Sequence, residues 1–262
     1  MQFADAHVHL ADPEYEELLP YLIETAKKAN VSALVSNAMD SETSGRTLML
    51  AQQYSSLVYA AVGIHPWNAV SQNETDLETV SEIASRRRKE IVAIGEIGLD
   101  RIYAKEEEHF RIQSEIFRKM IDLAERTGLP IIVHSRGSLQ ETLEFVSTSR
   151  VKQVLFHWYS GSIKILKEII NSGYRMTVGP SLLYSKHIQE IVKSTPIEYV
   201  LTETDGPVTY RGPFKMKLTT PEFLPIVVEE LAKIIGSRVE DISSQLTRNF
   251  ESFFNVEKCS KL

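Results

Sequence analysis

Ile91-Val92-Ala93-Ile94-Gly95-Glu96 is a short, almost unbroken apolar run that stops at a carboxylate. A half-buried strand alternates apolar and polar residues. A run this continuous fits a strand buried on both faces, the environment of a parallel sheet covered by helices. The pattern repeats in both directions. Gln2–His7, Ser32–Asn37 and Leu57–Ile64 precede it; Pro130–His134, Gln153–His157, Tyr174–Val178 and Tyr199–Glu203 follow. The segments between carry helix signals. Asp12 and Pro13 read as an N-cap and first position for a helix over Glu14–Asn30. Glu106–Arg126 places Phe110, Phe117, Met120, Ile121 and Ala124 at helical spacing, with Gly128 as the stop. Ser162 opens a helix that Gly173 ends, and Thr220-Pro221 opens one ending near Gly236. Ser237 with Glu240 reads as the capping box of the last helix. Eight strand–helix alternations predict an α/β fold: one (β/α)8 TIM-type barrel over residues 1–262, with its site at the C-terminal mouth of the strands. A doubly wound open sheet is the alternative.

Composition narrows the class. The 262 residues are 43% hydrophobic and 24% charged, ordinary values for a globular protein. A formal net charge of −6 argues against a broadly basic nucleic-acid binder, though not against a local basic patch. Cys259 is the only cysteine, so no disulfide framework exists, which fits a reducing, cytoplasmic setting. No signal-peptide pattern and no membrane-length apolar run is expected. The loop Val208–Lys217, rich in Gly, Pro and cations, reads as a mobile segment over the mouth.

Histidine placement carries the chemistry. Of seven histidines, His7, His9, His65, His134 and His157 stand where an apolar run gives way to a loop. Glu96 and Asp205 close runs of the same kind. In a parallel barrel every such position faces one mouth, so these groups converge, as metal ligands must. Two residues apart on a strand, His7 and His9 share a face and can share a metal ion. Glu96 has two oxygens and can bridge two cations; His134 and His157 pair for a second. Asp205 can hold a metal and accept a proton from water. His65, before Pro66, reads as a substrate contact. His109 and His187 fall in helical or loop context and are assigned to the surface.

Taken together, Asp5-Ala6-His7-Val8-His9-Leu10, Gly63-x-His65-Pro66, Gly95-Glu96-x-Gly98-Leu99-Asp100, Val133-His134-x-Arg136, His157-x-x-x-Gly161 and Glu203-Thr204-Asp205-x-Pro207 resemble the TatD family of metal-dependent hydrolases. The resemblance runs from about residue 1 to 250 with its motifs in order. It implies a barrel with one or two divalent metals and, in characterised members, metal-dependent nuclease activity on DNA. By position it implies His7, His9, Glu96 and Asp205 on one metal and Glu96, His134 and His157 on the other. His65, Glu203 and Arg136 would assist catalysis or contact substrate. Trp158 and Tyr159 stand where the family commonly has cysteine and phenylalanine, and Gly206 where it has serine; these changes bear on the substrate mouth.

The expected activity is therefore hydrolysis of DNA phosphodiesters, from a single-stranded or frayed end, with Asp205, Glu96, His65 and Glu203 as catalytic candidates. Trp67, Tyr103, Trp158 and Tyr159 are candidates to stack bases, and Arg101, Arg136, Arg211, Lys215 and Lys217 to meet phosphates. Four imidazoles and two carboxylates suit two ions of Zn, Mn or Ni, with Mg able to serve catalysis. No membrane association and no obligatory protein partner is expected. The alternatives are an amidohydrolase or phosphotriesterase-type enzyme acting on a small molecule, and a non-catalytic metal-binding protein. Many relatives of the former type bridge their metals with a modified lysine at the fourth strand. Here Glu96 stands there, which favours the TatD-like reading.

Overall fold

The computed structural model describes residues 1–71 and 74–256. Cys259 lies outside them. All eight apolar runs form strands: β1 Phe3–Val8, β2 Val31–Asn37, β3 Val58–Val62, β4 Ile91–Asp100, β5 Ile131–Arg136, β6 Val154–Phe156, β7 Arg175–Val178 and β8 Val200–Thr202. They pair in parallel and in chain order. Backbone hydrogen bonds from Asp205 to His7 O (2.8 Å) and from His9 to Gly206 O (2.9 Å) bring the end of β8 back to β1, which closes the ring. The open doubly wound sheet is excluded. The helices are α1 Leu19–Lys28, α2 Ser41–Gln53, α3 Pro66–Ala69, α4 Glu74–Arg86, α5 Glu107–Thr127, α6 Leu139–Ser147, α7 Ile163–Asn171, α8 Lys186–Lys193, α9 Leu224–Ile235 and α10 Val239–Phe254.

Burial explains the continuous apolar runs. Alternate residues of one strand face opposite sides, yet both sides are covered. Leu34 faces the outer layer, with Leu22 and Leu48 of the helices in the same cluster. Ala33 and Val35 face inward, with Ala4, Ala6, Ala61, Ala93, Ile132, Leu155 and Leu201. Four strands thus contribute alanine to the barrel interior. The space below is filled by Phe250, Phe253 and Phe254 of α10. The same helix is tied to the strands by hydrogen bonds from Ser243 Oγ to Gln2 O (2.6 Å) and from Asn249 Nδ2 to Val200 O (2.7 Å).

Three local expectations need correction. Asp12 caps only a 3-10 turn, Pro13–Tyr15, and the α-helix begins at Leu19 rather than Glu14. Pro20 sets that start, because its ring is compatible with a first turn and not with a helix interior. Ser237 caps nothing: the N-cap of α10 is Arg238. The Ser237 amide instead donates to Ala232 O (3.0 Å), finishing α9 after Gly236, so it belongs to the previous helix. Finally, the fourth strand does not stop at Glu96 but runs to Asp100. The loop after β8 is anchored from within: Tyr210 and Phe214 are buried against Phe223, and Tyr210 Oη donates to Thr204 O (2.7 Å).

Candidate metal centre

The strand ends bring His7, His9, Glu96, His134, His157 and Asp205 together at the mouth, all of them buried. Glu96 is the hub, and its two oxygens face different partners. Around Oε2 lie His7 Nε2 (3.1 Å) and His9 Nε2 (3.2 Å). These two nitrogens are 3.1 Å apart, and Asp205 Oδ1 is 3.3 Å from the first and 3.5 Å from the second. Four ligands at 2.0–2.1 Å around one tetrahedral ion stand about 3.3 Å from one another. The donor spacing therefore fits a single divalent ion. Around Oε1 lie His134 Nδ1 (2.7 Å) and His157 Nε2 (2.8 Å), themselves 3.2 Å apart. This second set has three donors, one fewer than the first.

Hydrogen bonds at the far side of each ring decide which nitrogen carries a lone pair. His9 Nδ1–H donates to Asn37 O (3.1 Å), leaving Nε2 free to bind. His134 Nε2–H donates to Asp100 Oδ2 (3.0 Å), leaving Nδ1. His7 and His157 lie stacked, with centroids 4.1 Å apart and planes 9° from parallel. Their Nδ1 atoms are buried and have no hydrogen-bond partner among the described residues; the same holds for Glu203 Oε2. Glu203 Oε2 is 3.6 Å from His157 Nδ1, and His7, His157 and Glu203 offer atoms within 4.8 Å of one another. One carboxylate thus faces one ring from each set. Its other oxygen accepts the Trp158 amide (2.9 Å). All four rings then turn a lone pair towards Glu96.

His65 is arranged differently. Its Nε2 is 3.2 Å from Glu96 Oε1, which groups it by distance with the second set. Yet its Nδ1 accepts the Trp67 amide (3.1 Å), so the proton of the neutral ring sits on Nε2. Burial, reinforced by the neighbouring His134 and His9 charges, pushes its pKa down to about 4. His65 is a neutral hydrogen-bond donor aimed at the bridge, not a further nitrogen ligand.

The carboxylates around these rings favour a proton where the lone pair would bind a cation. Burial alone would depress His9, but hydrogen bonds with Asp205 and Glu96 raise it to about 10. Burial is likewise overcome at His157, which Glu96 holds well above its ordinary value. Burial would raise Glu96, but His157, His7 and a hydrogen bond with His134 hold it well below the carboxylate range. A raised histidine keeps its proton at neutral pH, and a cation must displace that proton. Cation binding at pH 7 is therefore expected to release protons, with affinity falling as pH falls. Calorimetry in buffers of different ionisation enthalpy measures this; heats independent of buffer would contradict the assignment.

Sequence motifs alone gave no role to several supporting residues. Asp5 accepts the His7 amide (3.1 Å), the Thr204 amide (3.0 Å) and the Thr204 hydroxyl (2.5 Å), fastening β1 to the segment that carries Asp205. Burial pushes the Asp5 carboxyl up to about 7. Asp100 binds His134 as described. Gln113, fully buried on α5, accepts the Asp100 amide (3.0 Å) and donates to Pro66 O (2.9 Å). Their signal was present: Asp100 ends a glycine-rich motif, and Gln113 is a polar residue on the apolar face of a helix. Gly98 has a steric reason. It pairs with His134, and a Cβ on it would fall 2.1 Å from the His134 carbonyl oxygen, at a φ of +143°. Gly98→Ala is expected to destabilise the protein by about 3 kcal/mol or more, from overpacking and backbone strain combined. It should also displace His134. An unchanged urea midpoint would count against this.

A cavity of about 710 Å³ opens beside the second set, lined by Trp67, Arg136, Leu139, Trp158, Ile165, Val208 and the ligand candidates His134, His157 and Asp205. Arg136 is exposed at its rim. The Trp158 ring stacks on Tyr210 with centroids 5.3 Å apart, and its backbone is left-handed (φ 41°). Tyr159 does not line this cavity: it is 2% exposed and its hydroxyl donates to Ser162 O (2.7 Å), because the ring packs beneath the loop at Gly161. Glu203 is also away from the cavity, at 1% exposed. Arg101 is held by Glu107 (3.0 Å) and lies over the Phe110 ring. His109 and His187 are exposed, as expected.

A (β/α)8 barrel with converging imidazoles and carboxylates at the C-terminal mouth defines the metal-dependent hydrolase class. The chain matches the family described as TatD related DNase over residues 4–255. It is 33% identical over 256 residues to an uncharacterized metal-dependent hydrolase of Methanocaldococcus jannaschii, covering 97% of each chain. It is 31% identical over 258 residues to the deoxyribonuclease TATDN3 of Homo sapiens, covering 95% of this chain and 93% of that one. The crystal structure of a TatD homologue from Escherichia coli K12 superposes with a TM-score of 0.89 at 27% identity, covering 97% of this chain and 98% of that one. The protein belongs to the TatD family and is a metal-dependent hydrolase.

Proposed function

We propose that the protein is a deoxyribonuclease that hydrolyses phosphodiester bonds near a single-stranded or frayed DNA end, using two divalent ions. The observation that carries this reading is the pair of donor sets sharing Glu96, one of them opening on a cavity that holds both Asp205 and Arg136. His7, His9, Glu96 and Asp205 would hold one ion; Glu96, His134 and His157 the other. Zn, Mn or Ni suits the nitrogen-rich donors, and Mg remains able to support turnover. Bound there, the ions would supply Lewis acidity to the scissile phosphate and acidify water.

The chain's own residues do the rest. Asp205 accepts the proton of the attacking water. Burial works against its charge, but hydrogen bonds with His7 and His9 keep it well below the carboxylate range, so it is ionised at neutral pH. His65, neutral and protonated on Nε2, steadies the bridging carboxylate or donates to a phosphate oxygen. Glu203 orients His7 and His157 from behind, a positioning role rather than a chemical one. Arg136 pairs with phosphate at the rim, where its charge draws an anion. Trp67 and Trp158 offer ring faces to bases; stacking of this kind tolerates any base. Relatives named deoxyribonuclease support the DNA substrate. Among the described residues no helix is long and apolar enough to cross a membrane.

The test is hydrolysis of end-labelled single-stranded DNA by metal-stripped protein, resupplied separately with Mg²⁺, Mn²⁺ and Zn²⁺. Stepwise, metal-dependent shortening is the expected result. Intact DNA with every ion, alongside hydrolysis of a lactone or phosphotriester, would transfer the site to a small-molecule substrate.

A further inference from the structure

Asp100 has four hydrogen-bond donors on two oxygens. Oδ1 accepts the amides of Ile102 and Tyr103, each at 2.9 Å. Oδ2 accepts His134 Nε2–H at 3.0 Å and the indole Nε1–H of Trp67 at 2.7 Å. The two amides fix the carboxylate as a turn would, through its own backbone. The indole is the one side chain that shares the oxygen His134 uses, and its bond is the shorter. Trp67 is itself held: its amide donates to His65 Nδ1, Gln113 fixes the adjacent Pro66 carbonyl, and its ring stacks on Tyr103 with centroids 5.7 Å apart.

We propose that Trp67 is a positioning residue for the second donor set. Through its indole N–H it fixes Asp100, and through Asp100 the ring of His134. The inference rests on the two-ion reading above. Without the indole donor, Oδ2 keeps only His134, and the carboxylate can pivot about its amide-held oxygen. His134 Nδ1 then loses its fixed direction towards Glu96 Oε1. The first set, on the other oxygen of Glu96, has no such dependence. Partners of this kind behind a ligand are commonly worth about 10–100-fold in metal affinity.

The test is calorimetric titration of metal-stripped protein with Zn²⁺ or Mn²⁺, with no DNA present. Trp67→Phe keeps an aromatic ring and removes the donor. It is expected to weaken the second equivalent about tenfold and leave the first unchanged. Asp100→Asn should weaken the second equivalent further, and Trp67→Phe added to Asp100→Asn should cost nothing more, because the indole acts through that carboxylate. Equal binding by wild type and Trp67→Phe overturns the proposal, as does full additivity in the double variant. Wild-type protein that takes up one ion per chain overturns the two-ion reading and this inference with it. An optical readout is independent of Trp67 variants: the chain has two tryptophans, so Trp158→Phe leaves Trp67 as the only one. Its emission should shift with the second equivalent of metal and not with the first; a shift complete at the first equivalent contradicts the assignment.

Discussion

Glu96→Ala is expected to lower affinity for both ions by more than about 100-fold, beyond the range seen when an outer partner is lost. Metal-dependent hydrolysis should fall below detection. The reason is geometric. One oxygen of Glu96 lies within 3.2 Å of His7 and His9, and the other within 2.8 Å of His134 and His157. Glu203 faces one ring of each set from behind, but no other carboxylate among the described residues lies within 3.2 Å of all four rings. The side chain is 1% exposed, so water does not stand in for it readily. Metal content after dialysis, with the unfolding midpoint as a folding control, checks the prediction. Two ions retained with unchanged affinity would remove Glu96 from its central role.

Asp205→Asn separates binding from chemistry. An amide keeps an oxygen for the His7 and His9 set but accepts no proton. The turnover number is expected to drop about 10²–10⁴-fold, the usual contribution of a positioned acid or base. Metal content should survive at saturating concentrations, and KM should move far less than kcat. The pH profile carries a second signature. Because Asp205 is held well below the ordinary carboxylate range, its loss of charge does not govern activity between about pH 5 and 8. Proton competition at the histidines does, so the acid limb should move to lower pH as metal concentration rises. An acid limb independent of metal concentration, or an asparagine variant with wild-type kcat, would assign the proton transfer elsewhere.

The barrel was legible because parallel strands buried on both faces leave continuous apolar runs, and Ile91–Ile94 and Ile131–Val133 are of that kind. The candidate ligands were legible for a related reason: chemistry at a strand end is read as the residue that interrupts the run. What escaped depends on register and tautomer, which leave no trace in periodicity. The extension of β4 to Asp100 sets Gly98 opposite His134 and brings a carboxylate to the far side of that ring. Nothing in the spacing of residues 96, 100 and 134 says that His134 presents Nδ1 while His7, His9 and His157 present Nε2. His65 shows the converse. Its position matches the ligand candidates, and only the Trp67 amide on its Nδ1 separates it from them. Trp158 lines the cavity and Tyr159 is buried away from it, because adjacent residues at a strand end turn to opposite sides, a distinction the motif does not carry.

The three phenylalanines that fill the bottom of the barrel come from its last helix, and this orders events in time. During synthesis the strands emerge first, β1 long before β8, and the alanine-lined interior has no floor until Phe250, Phe253 and Phe254 have left the ribosome. The join between Phe3–Val8 and the end of β8 spans some 200 residues of chain, a long loop to close before its contacts repay the entropy. The nascent protein therefore carries a nearly complete set of chemical groups without a scaffold to hold them, and the mouth and the floor are finished only after Asp205 and Phe254 have both emerged.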